Sequence, residues 1–231
     1  MKTSQVNKQV SNEMTSAGES RLERSGNITW HASQVSPEAR ADLRRQNAVT
    51  VWLTGLSASG KSTLAYGLER LLHDTGHASF VLDGDNIRHG LNVDLDFSLE
   101  NRRENIRRVA EVARLFNEAA LVVITAFISP YREDRALARR IIGPERFIET
   151  YLAADIATCE LRDPRGLYRK ARAGEIRNFT GITAPYEAPH APEMTVNTGM
   201  LSAEESLQRM LDAVLPRIQM AQRCRAALEC V

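Results

Sequence analysis

One octapeptide constrains this chain more than any other feature. Gly55-Leu56-Ser57-Ala58-Ser59-Gly60-Lys61-Ser62 fits the pattern G-x-x-x-x-G-K-[ST], in the setting that the pattern requires. Residues 49–54 before it read as a buried strand. Residues 61–73 after it read as a helix with Leu64, Leu68, Leu71 and Leu72 on one stripe. Gly55 and Gly60 let the backbone wrap an anion so that successive N–H groups point inward. The helix beginning at Lys61 turns its positive end toward the same anion. In such a loop the lysine, Lys61, reaches the β- and γ-phosphates of a nucleoside triphosphate, and the hydroxyl, Ser62, ligates Mg²⁺.

The rest of the chain repeats the strand–helix alternation. Strands are expected at 79–82, 121–126, 147–152 and 194–196, with a long amphipathic helix over 99–119 and another near 131–142. A last helix starts at Ser202, which forms a capping-box pattern with Glu205, and Pro216 is expected to end it. This order predicts an α/β fold of three layers, a parallel sheet of about five strands whose ligand sits at the strands' carboxyl ends. Residues 1–26, rich in Ser, Asn, Gln, Glu and Lys without apolar period, read as a disordered tail; 27–216 read as one domain and 217–231 as a C-terminal extension.

Composition excludes other classes. With 231 residues and 43% hydrophobic content the chain can bury a large core unaided, and a net charge of +1 argues against a nucleic-acid coat. Cys159, Cys224 and Cys230 make neither a disulfide framework nor a zinc module, so a reducing cytoplasm is the expected setting. The longest apolar run, 119–127, is too short to cross a bilayer, so no membrane partner is expected.

Leu82-Asp83-Gly84-Asp85 ends the second strand. Residues i and i+2 of a strand share a face, so Asp83 and Asp85 converge on one site, a metal ligand beside a general base; Asp-Gly-Asp is also ordinary turn chemistry. Arg88 shares a face with Asp85 if a helix starts there. Arg102, Arg103, Arg107 and Arg108 crowd the start of the long helix, where cations oppose the macrodipole; an anionic ligand accounts for them better than a solvated face does. A second basic stretch, 162–177, holds Lys170 between glycines and suits a closing lid. Phe179 beyond it stacks on a base or anchors the loop.

Taken together these residues resemble the adenylyl-sulfate kinase family of P-loop kinases, over most of the chain from about residue 28. The blocks that carry the likeness are 55–63, which adds Thr63 to the cradle, 82–92, 103–108, 125–132 and 163–182. The resemblance implies transfer of the γ-phosphate of ATP, with Mg²⁺, to the 3′-hydroxyl of adenosine 5′-phosphosulfate. It implies that Asp83 and Asp85 serve the metal and that hydroxyl, with Asp85 as base. Arg88, Arg102 and Asn105 would hold the phosphosulfate end, Phe97 and Phe179 would sandwich the substrate adenine, and Lys170 would neutralise the moving phosphoryl group. Ser129 matches a serine that the family treats as a phosphoserine intermediate, although direct in-line transfer needs none. A homodimer and a functional association with an ATP sulfurylase are further expectations. Ala58 and Asp96 both stand where glycine is usual. The alternatives are another small-molecule P-loop kinase and a nucleotide switch; the latter lacks its Asn-Lys-x-Asp base reader here.

Overall fold

The computed structural model describes residues 28–220. Residues 28–34 belong to a unit that ends at Gln34 and carry no helix or strand. From Val35 onward, α1 (Pro37–Arg44) leads to β1 (Thr50–Thr54), the phosphate-loop segment, α2 (Lys61–Asp74), β2 (Ser79–Asp83), α3 (Gly84–Arg88) and α4 (Leu99–Glu118). Then come β3 (Val122–Ala126), α5 (Arg132–Ile142), β4 (Phe147–Leu152), α6 (Ile156–Arg162), α7 (Leu167–Arg172), β5 (Met194–Val196) and α8 (Ala203–Ile218).

Each residue of β1 and β3 is buried, as expected where helices cover both faces of a parallel sheet. Strand alternation then sorts the core into two layers. Val51 and Leu53 join Leu64, Leu68, Met210 and Val214 beneath α2 and α8, whereas Trp52 joins Val109, Ala113 and Ala138 beneath α4 and α5. Trp52 stacks on Phe147 and Phe127 at 5.5 and 6.2 Å. The strand order is β2-β3-β1-β4-β5, all parallel. The helices after neighbouring β1 and β3 lie on opposite faces, so a crevice opens where those two strands end.

The expected three-layer α/β class and all five strands stand. Three local readings need correction. The sequence reading left out α1, which buries none of its residues; a Ser36 cap on Ala39 N and bonds from Arg40 and Arg44 to Glu118 O and Ala119 O hold it. Pro216 lies inside α8 and does not end it. It forgoes one backbone bond, but the next turn is tied down by Asn47 N donating to Ile218 O at 2.7 Å and by burial of Ile218. Finally, β2 stops at Asp83, because that side chain caps α3 through Asp85 N and Asn86 N. Asp83 and Asp85 therefore do not share a strand face. The expected tail at 1–26 and the end of the extension, 221–231, lie outside the described residues.

Candidate active site

Where β1 ends, Gly55 begins the turn. A Cβ there would lie 2.8 Å from Ser59 Oγ and 2.9 Å from Leu152 O, so only glycine fits. Gly60 has φ +96°, a left-handed backbone that glycine adopts without cost. Ala58 also sits in the left-handed region, at φ +59°, which costs a residue with a Cβ about 1 kcal/mol. Three anchors brace the loop. Thr198 Oγ1 donates to Ser59 O at 2.9 Å, Tyr168 Oη to Ser57 O at 3.0 Å, and Lys61 Nζ to Leu56 O and Gly55 O at 2.6 and 3.0 Å. Desolvation, chiefly, lowers the Lys61 pKa to about 8.

The loop forms one wall of a cavity of about 360 Å³. Ser57, Ala58, Gly60, Lys61, Ser62 and Thr63 line it, while Gly55, Leu56 and Ser59 sit behind as support. Asp83 divides its carboxylate: Oδ1 caps α3, and Oδ2 accepts from Ser62 Oγ at 2.7 Å. A hydroxyl and a carboxylate side by side at a phosphate loop are hard oxygen donors of the kind Mg²⁺ takes together with substrate phosphates, so these residues fit the metal. Among the described residues no cluster of three or more His, Cys, Asp or Glu makes a metal cage of its own.

The opposite wall is aromatic and cationic. Phe97, 60% exposed, presents its ring to the cavity. Arg88 lies over that ring at 4.3 Å and Arg102 at 5.6 Å. Arg88 is fixed by donating to Leu95 O at 2.7 Å, and Arg102 donates to Phe97 O, Thr180 Oγ1 and Asn178 O. Burial lowers both guanidinium pKa values, and repulsion from Arg102 lowers Arg88 further. Asn105, buried, accepts from Asn92 Nδ2 at 3.0 Å and lines the same wall. Asp96 turns its carboxylate onto Ser98 N and Asn101 Nδ2, bonds that hold its pKa down at about 2. Arg165, from the loop before α7, reaches across to Asp85 as an ion pair.

A family model described as adenylylsulphate kinase matches residues 47–197. The adenylyl-sulfate kinase of Staphylococcus carnosus is 53% identical over 188 residues, 81% of this chain and 94% of that one. The solved Mycobacterium tuberculosis APS kinase CysC, in complex with AMPPNP and APS, is 46% identical with a TM-score of 0.71, covering 73% of this chain and 98% of that one.

The chain belongs to the adenylylsulphate kinase family.

The chain is thus an ATP-dependent kinase, a transferase. A sugar kinase from Janibacter, 19% identical with a TM-score of 0.52, shares the fold. No helix among the described residues is long and apolar enough to cross a membrane.

The structure places several of the expected site residues away from the cavity or in other bonds. Lys170 is exposed on α7 and lies outside the cavity lining; Arg165 is the lid cation that reaches it. Phe179 is also outside the lining, 8% exposed and edge-on to Tyr168 at 5.0 Å; it packs within the lid, although Arg102 grips the residues on either side of it. The arginine cluster of α4 is mostly spent on protein carboxylates. Arg107 and Arg108 share Glu104, Arg108 also takes Asp94, and Arg103 takes Glu133, which leaves Arg102 to face the cavity. Ser129 lines the cavity but is 2% exposed, its Oγ accepting from Trp52 Nε1 at 3.2 Å and donating to Phe127 O at 3.4 Å. Sequence reasoning missed Tyr168 and Thr198 as braces. The signal for the α3 start was present, since Asp is a favoured helix cap.

Proposed function

We propose that this chain transfers the γ-phosphate of ATP to the 3′-hydroxyl of adenosine 5′-phosphosulfate, giving 3′-phosphoadenosine 5′-phosphosulfate and ADP. The observation that carries this reading is a single cavity with two unlike walls. One is a backbone cradle with Lys61 and Ser62; the other is the Phe97 ring flanked by Arg88 and Arg102. The first suits a triphosphate donor. The second suits a nucleotide acceptor, with a ring to stack on its base and two guanidinium groups for its anionic end.

In this reading Lys61 leaves the Gly55 and Leu56 carbonyls to hold the β- and γ-phosphates. Ser62 and Asp83 hold the Mg²⁺, which when bound neutralises the phosphate charge. Asp85 takes the 3′-hydroxyl proton once Arg165 releases it, and Arg165 then faces the negative charge of the transferring group. Arg88, Arg102 and Asn105 orient the phosphosulfate, and Phe97 supports the adenine. Ser129 keeps its buried bonds and positions the loop after β3; direct in-line transfer gives it no covalent part. The domain reading of 27–216, a cytoplasmic homodimer and cooperation with an ATP sulfurylase belong to the same proposal. Light scattering tests the dimer, for which a particle of twice the chain mass is expected.

A coupled ATP-consumption assay tests the acceptor. Adenosine 5′-phosphosulfate is expected to support turnover, with gluconate, nucleosides and water near background. Turnover with another acceptor and none with the phosphosulfate would overturn the reading.

A further inference from the structure

Tyr168 is buried on the lid helix α7, and its hydroxyl donates to Ser57 O at 3.0 Å. Ser57 and Ala58 share a trans peptide, in which C=O and N–H point to opposite sides. A Ser57 carbonyl held toward α7 therefore turns the Ala58 N–H the other way, toward the cavity that both residues line. This orientation is locally unfavourable, because it requires Ala58 to hold φ +59°. A half-turn of that one peptide would return Ala58 to the negative φ that a residue with a Cβ prefers and withdraw its N–H from the cradle. Something must oppose the flip, and the Tyr168 hydroxyl is the side-chain group bonded to that carbonyl.

We propose that Tyr168 is a positioning residue for the donor phosphates: from the lid it locks the Ser57–Ala58 peptide with its N–H facing the anion. The lid and the cradle are then one device. The Tyr168 ring also meets Phe179 edge-on, and Asn178 and Thr180 beside Phe179 are held by Arg102 on the acceptor wall. A lid seated on the acceptor side thus carries the hydroxyl that sets the donor loop, and a lid that lifts away releases the strained peptide.

This inference rests on the donor site proposed above, so its test reads nucleotide binding separately from acceptor chemistry. Full-length Tyr168→Phe, Ala58→Gly and the double variant are compared with the parent. MgADP affinity is measured by calorimetry, KM for ATP and for adenosine 5′-phosphosulfate by steady-state kinetics, and folding by thermal unfolding. Tyr168→Phe keeps the ring and its packing. It is expected to weaken MgADP and raise the KM for ATP about tenfold, the size of one lost hydrogen bond, while the acceptor KM stays within about twofold. Adding Ala58→Gly to Tyr168→Phe is expected to recover about threefold of that loss, because glycine has no bias against the left-handed orientation. Unchanged MgADP affinity in Tyr168→Phe would overturn the proposal. So would a loss that Ala58→Gly leaves untouched, since the Tyr168 hydroxyl would then act on something other than the orientation of that peptide. MgADP binding needs no phosphosulfate, so a wrong acceptor would not disguise either result.

Discussion

The two walls of the cavity are built differently. The backbone of the donor wall is braced by Thr198 and Tyr168, with Gly55 jammed against Leu152; only the Lys61 side chain resting on it has to move. The acceptor wall is an exposed ring under two arginines whose bonds go largely to backbone carbonyls, closed by an exposed ion pair. A phosphate cradle must be preformed, because its N–H groups have to converge before the anion arrives. In the proposed function the acceptor side works by exchange: Arg88 and Arg102 would trade carbonyls for a stronger, charged acceptor, and Asp85 would trade Arg165 for a hydroxyl.

The largest effect is expected at the braced wall. Lys61→Ala should lower kcat by about a thousandfold, because the charge on the transferring group loses its nearest cation. A variant that keeps wild-type kcat in the ATP-consumption assay would remove the donor wall from the account. Next is Phe97→Ala, which should raise the acceptor KM about tenfold or more, the worth of one base–aromatic stack, and leave the KM for ATP within about twofold. If both KM values rise together, the walls are not separate.

A pH measurement sharpens the same contrast. Lys61 in the free protein loses its proton around pH 8, whereas against phosphate it stays charged. Below about pH 7 Lys61 is protonated before and after binding. Above about pH 8, MgADP binding should take up as much as about one proton, and affinity should fall as pH rises. Calorimetry in buffers of different ionisation enthalpy reads the uptake, which should vanish in Lys61→Met; uptake that persists there belongs to another group. The smallest effect is expected on the thermal stability of Arg165→Ala, as distinct from its turnover. Both partners of its ion pair are more than half exposed, so unfolding should shift by less than about 2 °C. A larger shift would mean that the acceptor wall is as firmly built as the donor wall.

How legible each part was follows from the range of the forces involved. The phosphate loop could be read because its constraints are local: two glycines, a lysine and a hydroxyl within eight residues, each demanded by backbone geometry. The central strands β1 and β3 could be read because burial on both faces leaves continuous apolar runs. Asp83 and Asp85 were placed on one strand because periodicity carries no signal for where a strand ends, and a capping carboxylate ended it. The arginines of α4 looked like a ligand site because their partners lie elsewhere: Asp94 in the preceding loop and Glu133 on the next helix. Tyr168 and Thr198 meet the loop from 111 and 139 residues away, and no local pattern announces such contacts. Phe179 and Lys170 share the lid's composition but not the cavity, a distinction that only packing makes.

The central claim is that this cavity joins an ATP donor to the 3′-hydroxyl of a nucleotide acceptor. Its most direct test is phosphorus NMR of the product formed by the purified protein from ATP, Mg²⁺ and adenosine 5′-phosphosulfate. A new phosphomonoester on the 3′ carbon with the phosphosulfate intact, formed one for one with ADP, is the expected result. ADP released with no phosphorylated acceptor, or phosphate found at any other position, would contradict it.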